Sequence, residues 1–324
     1  MITVVSMNPC IDLTLFIPKL TIGGSHRVTR TRSDYSGKAV NVAHCLKNLQ
    51  QPVKLLGFNF AENGRFLAES LDNAGISHDF INVVGSIRTN TKIFEESTGE
   101  MTEINQESAA VSASELAALT EKLQNQAATA MILSGSLPTG AKPSTYADII
   151  RQAKIPVILD TYGQPLIDGL AAGAYLIKPN LQELEQTLQQ KLPTQAEQIA
   201  AAQKLLREYP KTKAICLSLG AKGAFMIGEN AVFFAPPLDI PIKGVQGAGD
   251  SLVAGLCVVL ANLVNAKNAK NAENGENLDN PPLSEMLKSA VAAACASLMQ
   301  DGSLMAAFAD YENMLPKVVV EKMN

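Results

Sequence analysis

The chain has 324 residues, of which 47% are hydrophobic and 18% are charged. This composition supplies a large core, excludes disorder over most of the chain, and allows one large domain or two domains of roughly 100 to 200 residues. The formal net charge of -4 excludes a global basic field for a nucleic-acid backbone, and the presence of only three histidines excludes a histidine-based zinc site.

The five cysteines lie far apart, and none of them forms a Cys-x-x-Cys pair. An odd number of separated cysteines fits a reduced intracellular protein better than a disulfide framework. The first ten residues contain no basic leader, and no uninterrupted apolar segment approaches the ~18 to 20 residues that a membrane span requires. We therefore expect a cytoplasmic protein without a membrane segment.

Short apolar runs rich in valine, isoleucine and leucine predict strands that are buried on both faces, as in a parallel sheet covered by helices. These runs are ITVVSM (2–7), VKLLGF (53–58), AMIL (130–133), PVILD (156–160), AYLIK (174–178) and AICLSL (214–219). Segments with apolar residues three or four positions apart predict helices at 63–74, 114–124, 180–190, 195–209, 251–264 and 283–299. The alternation indicates a doubly wound α/β domain with a mostly parallel sheet between helix layers.

Two regions depart from this alternation and predict a small second sheet. TLFI (14–17) is one strand, and TKIFEE (91–96) with EMTEIN (100–105) forms a hairpin that turns at residues 97–99. A sheet of two or three strands cannot bury itself in water, so it should cover the ligand cleft or a second subunit. We expect a lid with strands from about residues 12–34 and 85–107.

The segment NAKNAKNAENGENLDN places an asparagine at every third residue and is followed by two prolines. A three-residue spacing matches the burial pattern of neither a helix nor a strand. The segment therefore predicts a low-complexity surface loop over residues 265–282 within a single domain of residues 1–324.

The sharpest local signal is Gly247-Ala248-Gly249-Asp250, directly before an apolar helix. Uncovered backbone amides at a helix N-terminus, together with the helix dipole, create an anion site for which phosphate is the obvious occupant. Asp250 would stand beside that anion and could accept a proton from an attacking hydroxyl. An N-cap aspartate after a tight glycine turn is the alternative, and the motif alone does not decide between the two.

Other polar residues follow predicted strands, at the end where open α/β sheets bind ligands. Asn180 and Glu183 could orient water around a nucleotide-bound Mg²⁺, although this pair taken alone is better read as a helix capping box. The turns SLGAKG (218–223) and SGS (134–136) expose backbone that could lie along a ligand, and plain turns are the alternative for both.

Near the N-terminus, NPCID (8–12) ends the first strand and SGKAVNVA (36–43) opens a helix. A glycine before a helix with an adjacent lysine could hold a second phosphate, while Asp12 and Asn41 could bond sugar hydroxyls. Arg27 and Arg88 are further cationic candidates. Taken singly, each of these cations is better read as a solvated surface charge.

The order of these segments resembles the PfkB carbohydrate kinases of the ribokinase-like fold, most of all their bacterial 1-phosphofructokinase and tagatose-6-phosphate kinase branch. The resemblance runs along nearly the whole chain and rests on seven collinear segments: NPCID (8–12), SGKAVNVA (36–43), IRTNTKI (87–93), SGSLP (134–138), IKPNLQELE (177–185), LSLGAKGA (217–224) and GAGDSLVAG (247–255). It implies a three-layer α/β/α fold with a mostly parallel central sheet and a small β-sheet lid.

The resemblance also implies a role for each matching residue. Asp250 would be the catalytic base, and an anion hole would be formed by the amides of Gly247, Ala248 and Gly249. The nucleotide would be bordered by Lys178, Ser218, Gly220 and Gly223, and Mg²⁺ would be reached through water by Asn180 and Glu183. The acceptor sugar would be held by Asp12, Gly37, Lys38, Asn41 and Ser136, and its phosphate would be met by Lys38, Arg27 and Arg88.

These roles imply an ATP- and Mg²⁺-dependent sugar-phosphate kinase, with fructose 1-phosphate as the leading acceptor and fructose 1,6-bisphosphate as its product. Tagatose 6-phosphate and fructose 6-phosphate remain alternative acceptors, because the motifs barely separate them. A sugar-phosphate sensor without transfer activity is a further alternative, since Ser36 and Ala39 stand where the family has glycine. The resemblance also implies a homodimer formed through the lid, and we expect no nucleic-acid partner.

Overall fold

The computed structural model describes residues 1–268, 277–302 and 304–323. Its strands are, in chain order, β1 (Ile2–Ser6), β2 (Cys10–Ile17), β3 (Arg30–Ser36), β4 (Val53–Phe60), β5 (Ser77–Val83), β6 (Arg88–Glu95), β7 (Met101–Asn105), β8 (Ala130–Ser134), β9 (Val157–Asp160), β10 (Leu176–Ile177), β11 (Ala214–Ser218), β12 (Ala224–Ile227), β13 (Val232–Ala235) and β14 (Glu321–Met323). Its helices are α1 (Lys38–Asn48), α2 (Arg65–Asn73), α3 (Ala113–Gln124), α4 (Thr145–Gln152), α5 (Gln164–Ala172), α6 (Leu181–Leu188), α7 (Gln195–Glu208), α8 (Ala248–Asn268), α9 (Leu283–Leu298) and α10 (Phe308–Met314).

Ten strands form the main sheet in the order β14-β13-β12-β11-β10-β9-β8-β1-β4-β5. The seven strands from β11 to β5 are parallel to their neighbours, and β12, β13 and β14 extend the sheet with antiparallel pairs. All six predicted apolar runs lie in this parallel part, as β1, β4, β8, β9, β10 and β11. The parallel arrangement brings the carboxyl ends of those strands to one edge of the sheet.

The core of the molecule lies on both faces of this sheet. Strands β1, β8 and β9 are buried along their whole length, which agrees with the unbroken apolar runs that predicted them. Helix α8 packs against α1 and α9 and contacts β8 and β9. The segment Ala248–Lys267 of α8 is long and apolar enough to cross a membrane, but 67% of its most apolar window is buried inside the protein, as in a core helix.

Four strands form the second sheet, in the order β3-β2-β6-β7. β2 and β6 are parallel, and β3 and β7 pair with them in antiparallel fashion. The predicted hairpin is present as β6 and β7, and TLFI lies within β2. We call this sheet the lid; its inner face carries the buried polar side chains Asp12, Thr14, Asn90 and Lys92, and its outer face carries Leu13, Leu15, Ile93 and Ile104.

The predicted surface loop at 265–282 differs from the structure at its first residues. Helix α8 continues to Asn268, so the first four residues of the predicted loop extend the helix, and residues 269–276 lie outside the described residues. After this gap, Asp279 forms an ion pair of 3.1 Å with Lys213. The five cysteines are free and buried, as expected for a reduced chain.

Candidate active site

A cleft of about 520 Å³ opens where the carboxyl ends of β9, β10 and β11 face the start of α8. Its polar wall consists of Lys38, Asp160, Lys178, Asn180, Glu183, Ser218, Gly249 and Asp250. Its opposite wall is apolar and includes Pro236, Leu238, Ile240, Val245, Leu252, Val291 and Leu298. One wall can therefore take a charged group while the other takes a flat apolar one.

A smaller cavity of about 140 Å³ lies next to the cleft, below the lid. It is lined by polar residues and small backbone turns: Ser6, Asn8, Gly37, Lys38, Ala39, Arg88, Ser134, Gly135, Ser136 and Tyr162. Lys38 lines both the cleft and this cavity. Two ligands placed in these two spaces would therefore meet at Lys38.

Asp250 lies in the first turn of α8, because the helix begins at Ala248 and the amide of Ser251 donates to the carbonyl of Gly247. The alternative that Asp250 caps the helix is therefore wrong. Its side chain is buried, and Nδ2 of Asn41 donates to its Oδ2 at 2.8 Å. Burial and the neighbouring Asp160 raise the pKa of Asp250 to about 6, although the Asn41 bond opposes that rise. A carboxylate with this pKa is suited to exchange a proton near neutral pH.

Ser36 orients the amide that contacts this carboxylate. Its hydroxyl donates to Oδ1 of Asn41 at 3.2 Å, which leaves Nδ2 of Asn41 to face Asp250. Ser36 stands where the resembled family has glycine, and this hydrogen bond is the kind of contact that a glycine could not supply. Gly37 has φ +118, and an added Cβ there would lie 3.3 Å from Cα of Pro9, so the start of α1 requires glycine at that position.

Asp160 organises the charges between the cleft and the cavity. Its fully buried carboxylate accepts from Ser134 Oγ at 2.9 Å and faces Nζ of Lys178 at 3.2 Å and Nζ of Lys38 at 3.5 Å. Burial alone would raise the pKa of Asp160, but the two lysines and Ser134 bring it below its usual value. Sequence reasoning missed Asp160, although it ends the apolar run VILD at the ligand-binding edge of the sheet.

Lys38 contacts carboxylates on the cleft side. Its Nζ lies 2.9 Å from Oε1 of Glu183 in addition to the contact with Asp160. Burial alone would lower the pKa of Lys38, but Asp160, Glu183 and Asp250 together raise it, so the ammonium group stays charged. Lys38 was expected to meet the phosphate of the acceptor. Because its side chain borders both spaces, it could equally meet a phosphate group of a ligand in the cleft.

Asn180 and Glu183 form the capping box that the sequence favoured for them. The Asn180 side chain accepts from the amide of Glu183 at 2.8 Å, and the amide of Asn180 donates to Oε2 of Glu183 at 2.9 Å. The same Glu183 carboxylate also faces Lys38 in the cleft, so capping leaves one oxygen directed at the charged wall. The capping box is therefore present, and the role of this pair near Mg²⁺ stays a prediction that its position in the cleft allows.

The turn after β11 borders the cleft through Ser218, Gly220 and Gly223. Gly220 and Gly223 have φ values of +61 and +97, which favour glycine. A Cβ on Gly220 would meet nothing within 4 Å, whereas a Cβ on Gly223 would overlap the carbonyl oxygen of Ala235. The turn therefore exposes backbone to the cleft at Gly220 and packs closely on β13 at Gly223.

The lid places a chain of polar groups over the smaller cavity. Oδ2 of Asp12 lies 3.0 Å from Nζ of Lys92, and Oδ1 accepts from Nδ2 of Asn90 at 3.1 Å. Oδ1 of Asn90 in turn accepts from Nη1 of Arg88 at 3.2 Å. Sequence reasoning missed Asn90 and Lys92, although both lie in the quoted segment IRTNTKI and alternate with Arg88 along one face of a strand.

Of the remaining predicted site residues, Ser136 lines the smaller cavity and Arg27 does not. In the smaller cavity, Oγ of Ser136 accepts a 3.1 Å hydrogen bond from Nδ2 of Asn8. Two buried polar atoms there, Oδ1 of Asn8 and Nε of Arg88, have no hydrogen-bond partner among the described residues. Arg27 lies in an exposed segment between β2 and β3 and borders neither the cleft nor the cavity. Asp12, Asn41 and Gly247 likewise line neither space, although Asn41 reaches the cleft through its bond to Asp250, and the roles of the predicted site residues remain predictions.

The lid also reaches the loops beside the start of α8. The guanidinium group of Arg32 on β3 lies against Gly302, so close that an added Cβ there would overlap it. On β7, Sδ of Met101 lies 3.8 Å from Nε2 of Gln246. These contacts place the lid over the segment that leads into Asp250.

Curated relatives and solved structures match this chain over most of its length. A 1-phosphofructokinase of Vibrio cholerae is 33% identical over 261 residues, which cover 79% of this chain and 81% of that protein. A 1-phosphofructokinase of Borreliella burgdorferi is 30% identical over 325 residues, covering 99% of this chain and 98% of that protein. Phosphofructokinase-2 of Escherichia coli, solved with potassium, has a TM-score of 0.86 at 24% identity, with 98% of each chain covered.

The structural likeness at that identity establishes the fold, and the ribokinase-like arrangement predicted from the sequence, with a large mixed sheet and a separate small one, is confirmed. The family described as pfkB family carbohydrate kinase matches residues 2–306. Because that match spans nearly the whole chain, the protein belongs to the pfkB family of carbohydrate kinases and is a phosphotransferase.

Proposed function

We propose that this protein transfers the γ-phosphoryl group of ATP to fructose 1-phosphate and so produces fructose 1,6-bisphosphate. The curated relatives from Vibrio cholerae and Borreliella burgdorferi, at 33% and 30% identity, are both 1-phosphofructokinases, which favours this acceptor over the other hexose phosphates. The observation that carries the proposal is the position of Asp250, a buried carboxylate in the cleft beside Lys38, which borders the acceptor-sized cavity as well.

In this proposal ATP lies in the cleft, with its base against the apolar wall and its phosphates along the charged wall. Fructose 1-phosphate lies in the smaller cavity with its free primary hydroxyl directed at Asp250. Asp250 takes the hydroxyl proton as the oxygen forms a bond to the γ-phosphorus and the bond from phosphorus to the β,γ-bridging oxygen breaks. The amides of Gly247, Ala248 and Gly249, at the positive end of α8, stabilise the negative charge that develops.

The lysines of the charged wall neutralise the transferred group. Lys178 and Lys38 both lie within 3.5 Å of Asp160, which fixes two cations close to where the phosphates of ATP would lie. Preorganised charges of this kind act before the reaction begins, so they lower the barrier without reorganisation. In this scheme the nucleotide also lies against the turn after β11, at Ser218, Gly220 and Gly223.

The cleft also fits a magnesium ion that is held mainly by phosphate and water. Among the described residues no group of three histidine, cysteine, aspartate or glutamate side chains is close enough to form a metal cage. The cleft nevertheless offers oxygen donors from Asn180 and Glu183, and Mg²⁺ keeps most of its waters and takes few protein ligands. Bound there through water, Mg²⁺ would supply positive charge to the phosphates of ATP.

The acceptor's phosphate is assigned to Arg88 and Ser136 in the smaller cavity. The buried Nε of Arg88 and Oδ1 of Asn8 have no partner among the described residues, and buried polar groups of this kind are normally paired. An anion with hydroxyl groups would satisfy both the donor and the acceptor. Asp12 and Asn41 would bond the sugar hydroxyls, and Gly37 would allow the start of α1 to approach the sugar closely.

We also infer that the protein acts in the cytoplasm as a homodimer formed through the lid. All five cysteines are free and buried, which fits a reducing compartment. The outer face of the lid carries Ile104 at 59% exposure, and every residue of the edge strand β7 is exposed. A second lid would cover both the apolar face and the strand edge.

The proposal is tested by measuring ADP release from MgATP with fructose 1-phosphate, tagatose 6-phosphate and fructose 6-phosphate. We expect the highest kcat/KM with fructose 1-phosphate, and we expect Asp250→Asn to lower kcat about 100- to 10,000-fold because the general base is lost. Near-normal turnover of Asp250→Asn would remove Asp250 from the role of base. Sugar-phosphate binding without ADP release from the wild-type protein would instead establish the sensor.

A further inference from the structure

We propose that Lys92 is a positioning residue for the acceptor sugar, because its ammonium group holds the Asp12 carboxylate in place on the inner face of the lid. The proposal rests on the function given above, in which Asp12 bonds the sugar hydroxyls. It concerns a buried ion pair, with only 9% of each side chain exposed.

The register of the lid produces this contact. In the parallel pair of β2 and β6, Asp12 lies opposite Asn90, and Thr14 lies opposite Lys92. Lys92 is therefore two residues along the same face, at the diagonal position that a long side chain can reach. Its ammonium group meets Oδ2 of Asp12 at 3.0 Å, while Asn90 occupies Oδ1.

Asp12 needs a positive charge at this position. On the other side of β2, its direct neighbour is Asp34, another carboxylate, and like charges opposite each other are unfavourable. Asp34 is itself paired with Arg32 at 2.8 Å. Arg88 and Lys92 both lie on this face of β6, and Lys92 is the one that contacts the Asp12 carboxylate, so this ion pair offsets both burial and the repulsion between the two carboxylates.

The two cations on the inner face of the lid, Arg88 and Lys92, have different contacts. Arg88 bonds only the neutral side chain of Asn90 in the described structure and has a buried Nε without a partner, so it is available to an anion. Lys92 is already paired with Asp12, whereas Arg88 lines the smaller cavity. The phosphate is therefore assigned to Arg88, and Lys92 acts on the substrate through Asp12.

The pairing leaves Asp12 able to accept further hydrogen bonds. A carboxylate has about four lone-pair sites, and the described donors to Asp12 are Lys92, Asn90 and the weak donor Cys10, whose sulfur lies 3.6 Å from Oδ1. Without Lys92, Oδ2 of the buried carboxylate would lose its charged donor, and the side chain could turn away from its present orientation. Its acceptor sites would then no longer be fixed for the sugar hydroxyls.

The test compares Lys92→Met with the wild-type enzyme in steady-state assays of ADP release. We expect KM for fructose 1-phosphate to rise at least about tenfold, the size of a lost charged hydrogen bond, while kcat and KM for ATP change less than about twofold. Lys92→Arg should restore most of the affinity, because it keeps the charge. Lys122→Met, which removes the partner of Asp79 far from the lid, is the matched control and should leave KM unchanged.

A double-mutant cycle with Asp12→Asn separates positioning from direct contact. If Lys92 acts through Asp12, adding Lys92→Met to Asp12→Asn should change KM for the sugar phosphate less than about twofold. Two effects that simply multiply would overturn the proposal and assign Lys92 to the substrate itself. If Lys92→Met alone fails to fold, the double variant has no unpaired buried charge, and its comparison with Asp12→Asn decides the question.

The failure of this inference can be distinguished from failure of the proposed function. A wild-type protein that releases no ADP with any hexose phosphate would contradict the proposed function. An active wild type whose KM for the sugar phosphate is unchanged by Lys92→Met would overturn only the role of Lys92.

Discussion

At the scale of single residues, Asp250 holds a charge that the fold disfavours. Burial and Asp160 raise its pKa from 3.8 to about 6, whereas the bond from Asn41 favours the ionised form. Since Asp250 in its proposed role as base would act only when it is ionised, we expect kcat/KM to fall about tenfold per pH unit below pH 6. A pH profile between 4.5 and 8.5 measures this, and a profile that stays flat through pH 6 would contradict it.

The same shift predicts how Asp250 affects stability. A carboxyl whose pKa is higher in the folded state binds more protons there than in the unfolded chain, so its contribution to stability falls as pH rises from about 4 to about 6. Above that window, ionising Asp250 costs about 3 kcal/mol. Asp250→Asn should therefore be more stable than wild type at pH 7 but not at pH 4.

Urea denaturation at both pH values tests this second consequence. Asp148→Asn, at a surface side chain that is 57% exposed, is the matched control and should show no comparable pH-dependent gain. A stability of Asp250→Asn that equals wild type at pH 7 would mean that Asp250 is not a strained base in the free enzyme.

The position of individual residues could be predicted where a glycine turn directly precedes an apolar helix, as at Gly247 to Asp250, which the structure places at the start of α8. The contacts of Asp160 and Lys92 could not, because they depend on which strands become neighbours. Asp160 meets Lys38 across 122 positions of the chain, and Lys92 meets Asp12 across 80. A local pattern contains no information about such partners, whereas the sheet order supplies it.

At the scale of elements, the turn between β11 and β12 offers a matched pair of glycines in the cleft wall. Both have positive φ, so alanine at either position costs about 1 to 2 kcal/mol of backbone strain. Only at Gly223 does the new Cβ also overlap the backbone of Ala235, which cannot move as a flexible side chain can.

We therefore expect Gly223→Ala to lose more unfolding free energy than Gly220→Ala and to raise KM for ATP, because the cleft wall must shift. Thermal denaturation and ATP titrations of the two variants measure these effects. Equal losses would mean that β13 can relax away from the turn, and that close packing at Gly223 does not shape the cleft.

Whether a strand could be predicted from the sequence depends on how much of it is buried. Runs such as ITVVSM and AICLSL were found because strands covered on both faces have no polar positions. β5 was missed because it lies at the edge of the main sheet, where its residues are mostly half-buried and its apolar pattern is broken by Asp79 and Asn82. Helix α4 was missed for a different reason: it has only eight residues, and it lacks a capping box like the one that marks the start of the equally short α6.

At the scale of the whole molecule, a single chain covers only the inner face of the lid. Its inner face is buried over the cavity, whereas its outer face presents Leu13, Leu15, Ile93 and Ile104 around an exposed edge strand. A small sheet with one apolar face open to water gains stability by pairing with a second copy. Dimerisation would also hold each lid in place over its own acceptor cavity, which links assembly to sugar binding.

Ile104→Lys should therefore separate the proposed dimer, because it places a charge on the apolar outer face, on the exposed edge strand β7. Light scattering after size exclusion should give twice the 34.4 kDa chain mass for wild type and the chain mass for the variant, together with a raised KM for fructose 1-phosphate. Val319→Lys is the matched control, since Val319 is 58% exposed against 59% for Ile104 but lies near the C-terminus. A monomeric wild type with full activity would show that the outer face needs no partner and that the inner face alone closes the site.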